Sequence, residues 1–487
     1  MMKDNKYKRA HVSYILEESF KSIKSLFVLL ILVISSIDKG RIYVFIALIL
    51  LVFLNSLLKW FTTKFYINNN LLLYNTGLIN KRKLEIPLDK INTIDISRNI
   101  FDRIFDVSTL KIDTGAVKEV GQEIKLKINE KNAYEIRNLI NNLSEEKNNY
   151  IIESSRDNNE IYSKTITFKE IVKYSFCKSK ILWAIGGVFI INDFILNLED
   201  TFNISIIKDI IDSIDMDKVF SVGLVKMILM IICLFVIVYI LISILYIIFE
   251  SIRLYNFTLI NDKNDIKIKY GLFTLKEYSI PIDKIYALRY KQNLLQQFFK
   301  IFQIEIVTIG YGDEKNEQAI LYPVGDIDFI NSILKEVLPS FHFTGDINKP
   351  NKNVLSRFIV KRYIVLIIFL IIPLFFIIPN ELLLIKITLT TFSIVYNIFL
   401  GYLNYRNTSL GFNKDLILAT SGSNMKVKTI IKQEHLQSVE VKENPFQRKK
   451  QVCNYKLDIY SNKLGDIVIV KNLDKDLLNN IEGNLIL

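Results

Sequence analysis

Long apolar runs recur in pairs along this chain, and they constrain its fold more than any other feature. A helix needs about 20 apolar residues to cross the hydrocarbon core of a bilayer. Three runs reach that length, and a shorter or less pure run precedes each of them. The pairs are Leu26–Ile37 with Ile42–Phe61, Ile181–Leu198 with Leu224–Phe249, and Tyr363–Pro379 with Leu382–Leu403. The pattern predicts six transmembrane helices in three hairpins.

The charge distribution predicts an orientation for these helices. The chain has a net charge of +12, whereas the segment 199–223 carries more acids than lysines. Lysine and arginine are enriched on the cytoplasmic side of membrane proteins. We therefore expect a multi-pass plasma-membrane protein with an acidic outer loop and with both termini in the cytoplasm. The alternative interpretation of the basic balance is a lysine-rich coding bias.

The polar segments between the hairpins repeat one another. "PLDKINTIDISRNIFDRIF" begins at Pro87 and "PIDKIYALRYKQNLLQQFF" begins at Pro281, and a diverged third copy has Lys432 in place of the proline. Short strand-like runs separated by turn residues lead in each copy to a predicted helix. We expect positive φ at the glycines and helix capping by the asparagines. The repeated motif positions are Gly77, Pro87, Asn99, Gly271, Pro281, Asn293, Gly422 and Asn444.

These patterns predict an α+β membrane protein in which each hairpin is followed by a small antiparallel β domain. The predicted divisions are an interfacial segment with the first hairpin (1–61), domain 1 (62–143), a polar linker with an interfacial helix (144–180), the second hairpin (181–250), domain 2 (251–340), a linker (341–362), the third hairpin (363–404) and domain 3 (405–487).

Several of these segments resemble the bacterial pleckstrin-homology-like (bPH2) family, whose domains are flanked by membrane spans. The resemblance lies in "RLYNFTLIND" from Arg253, "KYGLFTLKEYSIPIDKI" from Lys269 and "QNLLQQFFKIFQIEI" from Gln292. Two spans followed by one domain, three times over, is similar to the YdbT-type members. The resemblance implies PH-like β-barrels with a carboxyl-terminal helix. It also implies a partner, a smaller single-domain membrane-flanked PH-like protein.

Basic residues surround the asparagine turn of each copy. They are predicted to bind anionic lipid headgroups or a partner, and the alternative is that the turn is purely architectural. Apolar residues after each asparagine, such as Ile104 and Phe298, are expected to plug the mouth of the barrel. The candidate binding residues are Arg98, Arg103, Arg289, Lys291, Arg448, Lys449 and Lys450.

The residues needed for catalysis are scarce. The chain has three histidines and three scattered cysteines, without metal-ligand spacing, so we expect no metal, no cofactor and no enzymatic activity. No nucleic-acid-binding pattern is present, and no nucleic-acid partner is expected. Asp193, inside a predicted span, is the one intramembrane acid of interest.

The sequence thus predicts a non-enzymatic membrane scaffold. It would present three PH-like domains at the cytoplasmic face for a protein partner or for lipid headgroups, with a role in protecting the cell envelope. The alternative is a transporter or lipid-handling protein that uses the six-helix bundle and Asp193.

Overall fold

A computed structural model describes most of the predicted domains and part of each predicted hairpin. The described residues are 8–25, 39–67, 71–77, 80–88, 91, 93–113, 124–148, 162–178, 224–262, 265–308, 319–377, 383–459 and 467–477. Asp193 and the predicted outer loop fall outside these ranges, as do the predicted spans Leu26–Ile37 and Ile181–Leu198.

All the paired strands of the described chain are antiparallel. The strands are β1 (Lys8–Arg9), β2 (Lys64–Ile67), β3 (Leu71–Thr76), β4 (Arg82–Pro87), β5 (Thr93–Arg98), β6 (Val107–Asp113), β7 (Ile124–Asn129), β8 (Tyr162–Thr165), β9 (Thr258–Asp262), β10 (Asp265–Tyr270), β11 (Leu275–Pro281), β12 (Ile285–Asn293), β13 (Phe302–Thr308), β14 (Ile320–Gly325), β15 (Asp346–Asn348), β16 (Ser409–Phe412), β17 (Leu416–Ser421), β18 (Met425–Lys432), β19 (Leu436–Lys442), β20 (Val452–Ile459) and β21 (Ile467–Asp474).

Helices lie before and between these strands. They are α1 (Ser13–Ser25), α2 (Lys39–Thr62), α3 (Ile100–Ile104), α4 (Glu130–Asn148), α5 (Phe168–Lys178), α6 (Leu224–Arg253), α7 (Leu294–Phe299), α8 (Ile327–Glu336), α9 (Leu355–Leu366), α10 (Ile372–Ile377), α11 (Leu383–Asn407) and α12 (Pro445–Arg448). A π-helical turn at Ile367–Ile371 joins α9 to α10.

Each repeat contains four strands followed by three, and the first strand precedes the hairpin. Strand β1 pairs with β2 across the first hairpin, β8 pairs with β9 across the second, and β15 pairs with β16 across the third. The predicted hairpin segment of each repeat therefore lies between the first and second strands of the domain, which corrects the prediction that each domain simply follows its hairpin. The sequence missed these strands because they are only two to four residues long.

One helix in the described chain, Lys386–Asn407, is long and apolar enough to cross a membrane, and 6% of its apolar window is buried. It is the main part of α11, which packs against α9. Lys386 is 1% exposed and donates to the carbonyl oxygen of Phe375 at 3.1 Å, which connects the two arms of this hairpin. Helices α2 and α6 have 24 and 30 residues and coincide with two other predicted spans.

The three repeats are joined through their sheets. In repeat 1, β5 pairs with β11 of repeat 2, so that a seven-stranded sheet runs β7-β6-β5-β11-β10-β9-β8. In repeat 2, β12 pairs with β18 of repeat 3, and the next sheet runs β14-β13-β12-β18-β17-β16-β15. At the second joint the apolar core also crosses the boundary, because Leu416, Leu418 and Ile430 of repeat 3 belong to the core of repeat 2.

A turn that contains a glycine connects the third strand of each repeat to the fourth, and we call it the glycine turn. Gly77, Gly271 and Gly422 have φ values of +100°, +110° and +108°, in the region that side chains other than glycine rarely adopt. A Cβ atom on Gly271 would lie 2.0 Å from the carbonyl oxygen of Thr274. Both the φ angle and the space therefore require glycine.

We predict that Gly271→Ala destabilises the protein by about 1–3 kcal/mol, because the backbone would have to leave this conformation or remain strained. Thermal unfolding of the purified chain in detergent measures the loss. Lys269→Ala, on the exposed side of β10, is the control. An unchanged unfolding midpoint for Gly271→Ala would contradict the prediction.

Candidate functional site

The asparagine turn has the same construction in every repeat. Asn99, Asn293 and Asn444 each accept a hydrogen bond from the backbone N–H three residues later, at 2.7, 2.8 and 2.8 Å. The side chain of that third residue bonds back to the backbone N–H of the asparagine, completing a capping box. We call these three segments the capping turns; they comprise residues 99–106, 293–300 and 444–451.

A buried polar side chain anchors each capping turn to its domain. The residues are Asp102, Gln296 and Gln447, which are 1%, 4% and 3% exposed. Gln447 donates to Asn454 and Asn472 at 2.9 and 2.8 Å. The turn then ends with a left-handed residue, Asp106, Lys300 or Gln451 in the respective repeats.

An ion-pair network replaces the glutamine amide in repeat 1. The Nζ atom of Lys127 lies 2.6 Å from Asp102 and 2.5 Å from Glu17 of α1, and the Lys127 side chain is 3% exposed. Burial raises the pKa of Glu17, but hydrogen bonds from Lys127 and Lys21 outweigh burial and leave that pKa below its usual value. The network ties α1, which precedes the first hairpin, to domain 1. The sequence analysis missed this network because the three elements are far apart in the chain.

The capping turns also form the joints between repeats. Arg103 donates to the carbonyl oxygen of Leu272 at 2.9 Å, and Gln297 donates to that of Ser423 at 2.8 Å. Each donor is four residues after its asparagine, and each acceptor directly follows the glycine of the next repeat. Arg448 has the donor position in repeat 3, where its Nε atom lies 3.1 Å from Glu443.

Strand pairing is equally regular at the two joints. Arg98 of β5 is opposite Leu275 of β11, and Gln292 of β12 is opposite Lys426 of β18. Arg98 and Gln292 both directly precede the capping asparagine, whereas Leu275 and Lys426 both stand four residues after the glycine. The two joints therefore share one register.

At each joint, the fifth strand of one repeat pairs with the fourth strand of the next. The fourth strand of repeat 1 and the fifth strand of repeat 3 have no such partner in the described chain. Strand β4 pairs with β3, and β19 pairs with β20, and each is the last strand of its sheet. Neither strand contains a buried residue. Their counterparts at the joints include the buried residues Ile280 in β11 and Leu288 in β12. We call β4 and β19 the open edges.

Apolar side chains of the capping turns are exposed, so the prediction that they plug the barrels is wrong. Ile104, Phe298, Phe299 and Phe446 are 68%, 79%, 51% and 72% exposed. They project from the turn because the buried third residue of each capping box already fills the space below it. Exposed aromatic and aliphatic side chains in such a cluster are typical of a membrane or partner contact.

In repeat 2, the glycine turn and the capping turn lie beside the ends of α6 and α5, respectively. The backbone N–H groups of Gly271 and Leu272, at the first joint, donate to the carbonyl oxygens of Tyr255 and Ile252 at the end of α6. In repeat 2, Asn293 donates to the carbonyl oxygen of Cys177 in α5 at 2.6 Å. The exposed apolar residues of the turns are thus close to the helix termini.

Besides Arg448, two of the predicted basic residues lie in ion pairs within their domains. Arg98 contacts Glu130 and has a side chain that is 13% exposed, while Lys291 lies 2.6 Å from Glu305. Arg289 is a half-buried residue of β12 opposite Thr429.

The other predicted basic residues lie on the capping turns. Arg103 contributes to the first joint, whereas Arg448, Lys449 and Lys450 are all exposed. Lys450 also donates to the carbonyl oxygen of Asn353, just before α9. The structure therefore brings the basic residues of repeat 3 to the surface and leaves Arg98 and Lys291 inside their domains. Their binding role remains a prediction.

Within the described ranges, no three His, Cys, Asp or Glu side chains are grouped closely enough to hold a metal ion. Buried Cys177 has a pKa raised to about 11 by burial, which opposes formation of a reactive thiolate.

The repeated sheets, the capping turns and the helices between the first two strands of each repeat define a class of tandem PH-like proteins. The family model described as "Bacterial PH domain" matches residues 25–144, 217–337 and 362–482, and the chain therefore belongs to this family. It is similar to the UPF0699 transmembrane protein YdbT of Bacillus subtilis (strain 168), with 21% identity over 430 residues, which are 86% of this chain and 84% of that protein. The resemblance expected from the sequence is confirmed.

We predict that the ion-pair network makes stability pH-dependent. Because the folded protein lowers the pKa of Glu17, its contribution is present above the ordinary glutamate pKa of about 4.3 and is lost as the pH falls through the folded value. Glu17→Gln should therefore unfold at a lower temperature than wild type at pH 7, and the difference should narrow on acidification below about pH 4.3.

The thermal midpoint of the full chain in detergent is the measurement. Lys127→Met removes the buried ammonium that holds Glu17 and leaves the exposed pair with Lys21, so adding Glu17→Gln to Lys127→Met should lower the midpoint less than Glu17→Gln does in wild type. If the difference in thermal midpoint between wild type and Glu17→Gln stayed constant between pH 7 and pH 3.5, this would be evidence against the network.

Proposed function

We propose that this protein is a non-enzymatic membrane scaffold that binds another PH-like domain by extending its sheets. The observation that carries the proposal is the equivalence of the two internal joints with the open edge at β19. The same strand, followed by the same capping turn, binds the next repeat in repeats 1 and 2 and is exposed in repeat 3.

An exposed strand edge carries unpaired backbone groups that favour strand addition. At the two internal joints, five and seven backbone residue pairs, together with one side chain of the capping turn, hold the incoming strand. Repeat 3 has the equivalent strand, β19, and a side-chain donor at the equivalent position, Arg448. A PH-like domain placed there would continue the chain of domains in the direction already set by repeats 1 to 3.

Charge alone does not select the occupant of this edge. If β4 of a second copy occupied the joint in the shared register, Arg82 would lie opposite Lys442, and Lys81 would lie opposite Glu443. Like charges directly opposite each other destabilise a strand pair, whereas opposite charges stabilise it. We propose as the partner a smaller, single-domain, membrane-flanked PH-like protein, which the family resemblance implies, with self-association as the competing outcome.

The proposal includes the membrane side of the molecule. Six helices in three hairpins would anchor the chain in the plasma membrane, with both termini in the cytoplasm. The exposed apolar and basic residues of the capping turns would then lie in the headgroup layer. A partner bound at β19 would be held at the same depth, which favours association between chains confined to one membrane.

We predict that Arg448→Ala weakens binding of the single-domain partner by about twofold to tenfold, the effect of losing one hydrogen bond. Arg448→Gln should bind like wild type, because glutamine occupies the same position in repeat 2 and donates at that joint. Co-expression of the full chain with the partner, followed by quantitative co-purification in detergent, measures the effect.

Lys449→Ala is the matched control, because Lys449 is an exposed neighbouring cation outside the donor position. If the partner co-purified equally with all three variants and wild type, the edge would not be its docking site. If the chain alone formed oligomers that Arg448→Ala dissociated, a second copy would be the occupant and the single-domain partner would be rejected.

A further inference from the structure

Two adjoining clefts open between the third hairpin and domain 3. One has a volume of about 520 Å³ and lies between α9, α11 and β21, and the other, of about 420 Å³, continues towards the glycine turn of repeat 3. Arg362, Asn404 and Lys471 line both clefts. These three residues belong to α9, α11 and β21, respectively.

The charges in the clefts have one sign. Arg357, Arg362 and Lys471 are their charged residues, and no described carboxylate lines either cleft. The Nη1 atom of Arg362 is buried without a hydrogen-bond partner among the described residues. A buried guanidinium donor without an acceptor is costly, and phosphate oxygens are the acceptors that match its geometry.

Neighbouring cations reinforce this positive potential. Burial first, and then Lys428, Arg406 and Lys349, lower the pKa of Lys426, which stands beside cleft-lining Met425 on β18. An anion bound near the end of α11 would offset this accumulation of charge.

The larger cleft changes from polar to apolar along its length. Its domain end has Asn472 and Lys471, whereas Val365, Leu366 and Leu400 line it along the hairpin. Asn397 and Asn404 are seven residues apart on α11, so the wall extends about 10 Å along the helix. A ligand with an anionic end and a hydrocarbon end matches this gradient.

We propose that the clefts bind one anionic glycerophospholipid, with its phosphate at Arg357, Arg362 and Lys471 and an acyl chain along Leu366 and Leu400. The site differs from the basic residues singled out in the sequence. It depends on the contact between a hairpin and its own domain, whereas the partner site depends on the outer edge of β19. The lipid would fix the angle at which domain 3 meets the membrane.

Native mass spectrometry of the full chain, purified in detergent and titrated with phosphatidylglycerol or phosphatidylcholine, tests the proposal. Wild type should retain one phosphatidylglycerol in preference to phosphatidylcholine. Arg362→Gln should weaken that binding by at least about tenfold, whereas Arg362→Lys should retain part of it. Lys414→Gln, in the exposed turn between β16 and β17, should leave it unchanged.

Inorganic phosphate distinguishes a lipid site from a site for a free anion. Millimolar phosphate that left phosphatidylglycerol bound would support the lipid, whereas phosphate binding that excluded phosphatidylglycerol would overturn it. Equal phosphatidylglycerol affinity in wild type and Arg362→Gln, with both proteins showing the same helical content by circular dichroism, would also overturn the proposal. So would equal affinity for the two lipids.

Discussion

The pairing of β5 with β11 and of β12 with β18 is the interaction on which the rest of the structure depends. It converts three small domains into two seven-stranded sheets that cross the domain boundaries. The second joint buries apolar residues of repeats 2 and 3 in shared cores, whereas the core of repeat 1 in the described chain consists of its own residues. Repeat 1 is attached to repeat 2 through strand pairing and side-chain hydrogen bonds.

The capping turn serves both the domain and the joint. Its asparagine and the buried third residue determine the path of the backbone inside the domain, and the fourth residue reaches the glycine turn of the next repeat. This division explains why the third residue varies only between glutamine and aspartate, while the donor can be arginine or glutamine. Both donors present an N–H group at the required distance, which is all that a carbonyl acceptor needs.

Polar groups lie where domains 1 and 3 contact neighbouring helices. Lys127 joins α1 to domain 1 through two carboxylates, and α9 and α11 face domain 3 across a cleft whose described charges are all positive. A buried ion pair is satisfied within the chain, whereas a cleft whose charges have one sign favours an anion from outside. Repeats 1 and 3 thus contact the helices that precede their second strands through different chemistry, although their strands follow one plan.

The sequence by itself determined the apolar runs, the threefold repeat, the positive-φ glycines and the asparagine caps, since each depends on residues within a few positions of one another. Tertiary structure decided which edges pair and that Phe298 and Phe446 are exposed. It also decided that β1, β8 and β15 belong to domains whose other strands come much later in the chain. It also brought Arg362 and Lys471 to one cleft. Strand partners and cleft walls come from distant parts of the chain, and neither periodicity nor local hydrogen bonding specifies them.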